Sequence, residues 1–304
     1  MLKTYAIIDG KILPAEGNEG KILVFINPDK EEIGYLESNF HLDEHTLQSS
    51  LDPDELSRLE FEKEHFAIIL KRPRSYSSQE QFVFKVSSIG VFIFKECMLI
   101  LIPEEVPLFD GKQTFTIQTM LDVFLKLFYR SITHFLHHLK VINMICDEIE
   151  RKVNASMENK YLIQMFTLEK SLVYYLNAIH SNAVLLEKLR NAAVKIGFSP
   201  EHLEILEDTV IDNNQCLKQT QIYSDIIASM MDARASIVNN NLNNLIKTLN
   251  ILTIAIMVPT FVVSAFSMNV AIPFQKNPYA FIMIMAMSAV ALAAAMFFFR
   301  LKRW

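Results

Sequence analysis

An α+β membrane protein is the fold class this sequence predicts, and three observations predict it. Short β-rich runs, punctuated by turn residues, fill the first third of the chain. Long amphipathic segments almost free of Pro and Gly follow, and two long uncharged runs come last. Hydrophobic residues make up 51% of the 304 positions and charged residues 21%, which argues against disorder. Only 7 Gly and 10 Pro disfavour a turn-rich all-β design and favour long helices. A net charge of −5 without any basic block argues against a nucleic-acid surface. Three cysteines far apart, Cys97, Cys146 and Cys216, form neither a disulfide framework nor a paired metal signature, so a reducing compartment is expected.

The opening Met1-Leu-Lys-Thr-Tyr-Ala-Ile-Ile-Asp9 is too polar for a signal peptide and reads as a first strand. Further β-rich runs at Lys21–Ile26, His65–Lys71, Gln81–Val86, Val91–Phe94 and Met98–Ile102 are separated by Gly, Pro, Asn, Asp and Ser. The charged stretch Asp43–Glu64 between them is compatible with helix. Together, residues 1–106 read as a small α/β domain.

After Pro107 the texture becomes helical. Ile117–Val153 and Tyr161–Ile196 are long amphipathic runs. Gly197-Phe-Ser-Pro200 is a stop and restart: Gly beyond a helix C-terminus, then Ser199 as N-cap with Pro200 at the first helical position. No Pro or Gly follows until Pro259. One helix is therefore expected from Glu201 to Met257, on the order of 85 Å long, with a kink at Pro259. A helix of that length needs partners, and copies of itself are the natural ones.

The apolar excess sits at the end. Lys247 and Lys276 bracket 28 residues without an ionisable side chain, and Lys276 and Arg300 bracket another 23. Each run can cross a hydrocarbon core about 30 Å thick, so two membrane spans joined by a short loop are expected. Arg300, Lys302 and Arg303 beside Trp304 outweigh the loop's single Lys276, which puts both termini on the cytoplasmic side of a cytoplasmic (inner) membrane.

Stepping along the long helix by alternating four and three residues gives the row Asp232, Ser236, Asn239, Asn243, Ile246, Asn250, Thr253, Met257, Thr260, Ser264, Ser267. Nine of these eleven are polar, whereas the flanking positions Ile251, Leu252, Ile254, Val258, Phe261 and Val262 are apolar. A polar row on an apolar helix should face protein or water rather than lipid. Two readings follow: hydrogen-bonded glue between helices, or the lining of a channel shared by several copies. The row's length, with Ile246 and Met257 as apolar constrictions, favours the channel. Neutral amide and hydroxyl oxygens suit the water shell that Mg²⁺ is reluctant to lose. Residues 200–232 add seven acids (Glu201, Glu204, Glu207, Asp208, Asp212, Asp225, Asp232) against one Lys218, which would gather cations.

Other constellations carry less. His134, His137 and His138 share one helix at metal-ligand spacing, but no acid lies within a turn of them; His41 and His45 read as an exposed turn. No Gly-rich phosphate loop and no nucleophile elbow is present, so neither an enzyme nor a cofactor is expected.

With these residues in view, the sequence resembles the CorA-type magnesium channels, the metal ion transporter family. The match is carried by the two C-terminal spans, Asn240-Asn-Leu-Asn-Asn-Leu-Ile-Lys-Thr-Leu-Asn-Ile-Leu-Thr253, the step Met257-Val-Pro-Thr260 and the basic tail ending in Trp304. The resemblance implies a funnel-shaped homopentamer with lipid around it and divalent cations moving through it. The chain then divides into a cytoplasmic α/β domain (1–106), a helical arm (107–197), a stalk helix (198–244), two transmembrane helices (245–268 and 278–299) around an outer loop (269–277), and a basic tail (300–304). It further implies an ion-binding Asn269 ring beside Met268, a lower ring at Asn243, a hydrophobic gate at Leu249 and Met257, an acid ring at Asp232 and a sensing acid at Asp208. The family signature Gly-Met-Asn is replaced here by Ser267-Met-Asn269, and the expected partner of Asp208 falls near Ser49, with Asp52 and Asp54 close by. The implied function is passage of hydrated Mg²⁺. A zinc-type, proton-coupled relative and a non-conducting membrane scaffold are the alternatives.

Overall fold

The computed structural model describes residues 1–15, 20–76, 82–109, 116–155, 159–269, 273 and 277–302. Most of the expected outer loop, with Lys276, and the terminal Arg303 and Trp304 lie outside the described residues. The chain forms two compact units, Met1–Met231 and Asp232–Trp304.

The first unit is built on a seven-stranded sheet: β1 (Leu2–Ile8), β2 (Lys11–Pro14), β3 (Ile22–Ile26), β4 (Arg58–Phe61), β5 (His65–Pro73), β6 (Val86–Phe94) and β7 (Met98–Ile102). Their order is β2-β1-β3-β7-β6-β5-β4. Only β3 and β7 run parallel, pairing Ile22 with Met98 and Ile26 with Ile102. Both central strands are apolar throughout because both faces of the sheet are covered. Phe25, Ala67, Phe92, Leu99 and Leu101 pack with Leu36 and Leu47 of α1 (Lys30–Phe40) and α2 (Glu44–Leu51). On the other face Val24, Ile68, Val91 and Ile100 pack with Phe128, Phe135 and Leu172 of α3 (Met120–Ala155) and α4 (Asn159–Asn191). Gly90 on β6 admits α2: a Cβ there would sit 2.4 Å from the Ser50 Cβ.

Two expectations need correction. The charged stretch 43–64 is not one helix; Asp43 caps only Glu44–Leu51, and Arg58–Phe61 joins the sheet as edge strand β4, paired with β5. Of the run Gln81–Val86, Gln81 lies outside the described residues and 82–85 is not strand, since β6 begins at Val86 and Phe82 has φ 69°. Instead the Phe84 N–H donates to the Ser171 hydroxyl of α4 (3.1 Å), so this segment is held by a helix rather than by the sheet.

The stop-and-restart segment behaves as the local chemistry dictates. Short helix α5 (Ala193–Ile196) closes on Gly197 at φ 87°, and α6 (Pro200–Phe266) starts at Pro200. The Ser199 hydroxyl accepts from the His202 N–H (3.2 Å) and the His202 ring accepts from the Ser199 N–H (3.1 Å), a reciprocal cap. His202 Nε2 also meets Asp122 Oδ1 at 2.8 Å, tying the first turn of α6 to that of α3. Helix α6 continues through Pro259 without interruption. The second unit contains its last part and α7 (Ala280–Leu301); both helices are long and apolar enough to cross a membrane.

Candidate functional site

Every member of the row from Asp232 to Ser264 is exposed on α6, and so is Ser267 just beyond its end; Ile246 is 54% exposed and Met257 62%. Over the apolar stretch, the residues with reduced exposure are Ile251, Ile254, Ala255, Val258, Pro259, Val262 and Phe266. Thr253, Met257, Thr260, Ser264 and Ser267 run as a strip along the middle of the exposed side, flanked by exposed Leu252, Ile256, Phe261 and Val263. At 3.6 residues per turn the two strips are centred about 180° apart. Helix α7 has a matching covered strip at Ala280, Ile284, Ser288, Ala291, Leu292, Ala295 and Phe299, in which Ser288 is only 5% exposed. Small residues on such a strip permit close helix approach. The polar row thus lies on the side of α6 opposite its covered strip. Sequence reading missed this covered strip, for which a lone Ser288 in an Ala- and Met-rich run was the only signal.

The row's hydroxyls have a fixed polarity. Thr253 Oγ1 donates to the Leu249 carbonyl (2.9 Å) and Thr260 Oγ1 to the Ile256 carbonyl (2.7 Å). Each hydroxyl proton is therefore used along the helix, and the oxygen lone pairs point outward as acceptors. Water bound to a metal cation presents its protons outward, so a strip of acceptors is complementary to a hydrated cation. Asn239, Asn243 and Asn250 carry further amide oxygens on the same exposed side. Leu249, implied by resemblance as a gate residue, is 64% exposed next to this row.

At the end of α6, Ser267 stands where a glycine was implied. Glycine there would be required if the chain adopted positive φ. Among the described non-glycine residues, positive φ occurs at Asp9, Asn27, His41 and Phe82, and not at Ser267. The Ser267 N–H and hydroxyl both donate to the Ser264 carbonyl (3.2 and 2.9 Å), which closes the helix end. Met268 and Asn269 follow, both exposed, and the Asn269 amide makes no hydrogen bond among the described residues.

In the first unit, Asp208 is exposed on α6 and Asp212 lies one turn on; burial and then the Asp208 charge raise the Asp212 carboxyl above its ordinary value. Ser49 is 6% exposed and so does not present its hydroxyl to solvent. Asp52 accepts from the Asp54 N–H (2.8 Å), and the carbonyls of Asp52 and Pro53 accept from Lys71 Nζ, which burial pulls down to about 8. The carboxylate of exposed Asp54 makes no hydrogen bond or ion pair among the described residues. The three arm histidines diverge. His138 Nδ1 and the Tyr175 hydroxyl share a buried 2.6 Å hydrogen bond, and His134 and His137 line a cavity. Burial holds His134 down to about 3 and His138 to about 4, so both rings are neutral at pH near 7. No group of three or more His, Cys, Asp or Glu among the described residues is arranged to hold a metal.

The chain is 25% identical over 291 residues to the cobalt/magnesium transport protein CorA of Methanocaldococcus jannaschii, covering 91% of this chain and 89% of that one. The complete structure of the CorA magnesium transporter from that organism superposes with a TM-score of 0.82 at 21% identity, covering 98% and 96% of the two chains. The full-length CmaX protein gives 0.76 at 16% identity, over 99% and 97%. The ZntB cytoplasmic domain from Vibrio parahaemolyticus gives 0.60 at 12% identity, over 78% of this chain and 98% of that one. These structural likenesses carry the fold. The family model described as CorA-like Mg²⁺ transporter protein matches residues 18–303, and the chain belongs to that family.

Proposed function

We propose that this chain assembles as a homopentamer in the cytoplasmic membrane and passes hydrated Mg²⁺ down its gradient through a pore on the oligomer axis, with no catalytic step. The observation that carries this reading is the acceptor-rich row of α6 on the side opposite its covered strip. In an oligomer, α7 then takes the outer, lipid-facing position and the row of each copy faces the axis. Asn269 and Met268, with the Ser267 hydroxyl, meet the hydrated ion first; Thr260, Thr253 and Asn243 accept from its water shell. Met257, Leu249 and Ile246 form the apolar constriction that closes the path. Asp232 gathers cations at the cytoplasmic end, where both termini lie. Asp208 senses cytoplasmic Mg²⁺, and Asp54 of a neighbouring copy is the acid left to pair with it. The outer loop completes the mouth.

The test is flux into liposomes, with Mg²⁺ and Zn²⁺ compared with and without a pH gradient. Asn269→Ala should abolish Mg²⁺ uptake. Ser267→Gly should keep or raise it, because Ser267 sits in a conformation both residues adopt. Undiminished flux in Asn269→Ala would sink the ion site. Zn²⁺ uptake that requires the pH gradient would favour the zinc-type alternative, and no flux of either ion from assembled protein would favour the scaffold.

A further inference from the structure

Between the sheet and α3 lies a cavity of about 650 Å³ whose wall is unusually cationic. Lys126, Arg130, His134 and His137 line it from one face of α3 at successive helical turns, and Arg72 lines it from the end of β5. Val106, Leu108 and Leu127 supply an apolar part of the wall.

Lys126 is the cation of this wall that the fold leaves uncompensated. Lys126 is 6% exposed and makes no hydrogen bond or ion pair among the described residues. Arg130 repels it; burial first and that repulsion second lower its affinity for a proton. Asp122, one turn earlier on α3, does not neutralise it: both carboxylate oxygens are taken, by Gln118, Thr119 and His202. Arg72 is 7% exposed and spends its Nε on the Pro73 carbonyl (3.2 Å). The acid that favours its charge, Glu104, is itself bonded to Arg74 at 2.6 Å and leaves Oε1 buried without a partner. Arg130 reaches the Leu108 carbonyl at 2.8 Å and so ties the covering segment to α3. A buried, unpaired cation opposes folding, and such violations of packing rules concentrate where a ligand completes them.

We infer that this cavity is a binding site for a phosphate-bearing organic anion of nucleotide size, with its phosphates on Lys126, Arg130 and Arg72 and its organic part against Val106, Leu108 and Leu127. Arginine forks match phosphate oxygens in pairs, and lysine adds a point charge. The volume falls within the usual range for small-molecule sites. Neutral His134 adds hydrogen-bonding ring nitrogens without adding repulsion among the cations. No residue of the ion row takes part, so binding here stands or falls separately from transport.

The experiment is calorimetric titration of the full chain in detergent micelles with ATP, ADP, AMP, adenosine and inorganic phosphate, alongside micelles containing phosphatidylglycerol. ATP and ADP should bind more tightly than AMP, and adenosine should not bind. Lys126→Met should weaken ATP at least tenfold, yet melt no lower than the parent without ligand, because methionine removes an uncompensated charge and keeps the stem's packing. Val106→Trp, which fills the apolar wall, should weaken ATP through a different part of the cavity. The inference is overturned if cooperatively melting protein binds no nucleotide at about 1 mM. It is equally overturned if Lys126→Met and Val106→Trp both bind ATP as the parent does, or if only phosphatidylglycerol competes for the site, which would assign it to a lipid headgroup.

Discussion

Thr260→Val separates a pore lining from helix glue. Valine is nearly isosteric with threonine, and the Thr260 hydroxyl proton is already spent on the Ile256 carbonyl at 2.7 Å. That carbonyl also accepts the helix N–H of residue 260, so the substitution leaves no backbone group unpaired. What disappears is one outward-facing acceptor per copy. A hydrogen bond contributes about 0.5–1.5 kcal/mol net, which corresponds to about a 2- to 12-fold loss of ion passage for each contact removed. Thr260→Ser restores the oxygen and should restore the rate. The assay is Mg²⁺ uptake into proteoliposomes at matched protein density, with oligomer content measured by cross-linking on the same sample. Were the row glue instead, valine would loosen the assembly by about 0.6 kcal/mol per contact and leave the rate per oligomer unchanged. An unchanged rate per oligomer, with or without loosened assembly, refutes the reasoning.

Two further outcomes concern the first unit. Asn182 is fully buried on α4 and substitutes for a missing strand: β4 begins at Arg58, opposite Ile69, and beyond it the Lys71 N–H and carbonyl bond to the Asn182 side chain (2.9 and 2.8 Å). Ser57 donates to the same amide oxygen at 2.8 Å, so Asn182→Ala should cost about 2–4 kcal/mol in urea unfolding of the solubilised chain, and a cost below about 1 kcal/mol would contradict this role. The Asp122 carboxyl has its pKa lowered despite burial, because bonds from Gln118, Thr119 and His202 outweigh desolvation. A lowered folded value means the stabilisation is present above the unfolded pKa of about 3.9 and is lost as pH falls through the folded one. Melting temperature measured from neutral pH downward should therefore drop more steeply below about pH 4 in the parent than in Asp122→Asn, and parallel curves would dismiss the idea.

Local chemistry was readable and long-range pairing was not. Gly197, Ser199 and Pro200 announced a helix end and restart through their own backbone preferences, and the structure ends and restarts helices there. The runs at β3 and β7 read as strands because covered sheet faces demand continuous apolar residues. Strand β4 was hidden, since its four half-buried residues lie in a charged stretch whose partner, β5, determines their conformation. The segment around Phe84 has a strand's composition, but a hydroxyl on α4, far along the chain, captures its N–H. On α6 the polar row follows directly from residue spacing, whereas the covered strip depends on where α7 lies. The cationic cavity draws Arg72 and Lys126 from separate elements, and no spacing rule joins them.

Whether the polar row of α6 faces water is measured most directly by cysteine accessibility in the assembled, membrane-embedded protein. Cys146 and Cys216 are buried, with thiols pushed up to about 11 and about 12, and so stay silent; only Cys97 needs replacement. Single cysteines at Asn243, Asn250, Thr253, Thr260 and Ser264 should react with a charged, membrane-impermeant thiol reagent and block Mg²⁺ flux, while cysteines at Ile254, Val258 and Val262 should remain unmodified. Modification of Ile254, Val258 and Val262 with protection of Thr253 and Thr260 would contradict a water-facing row.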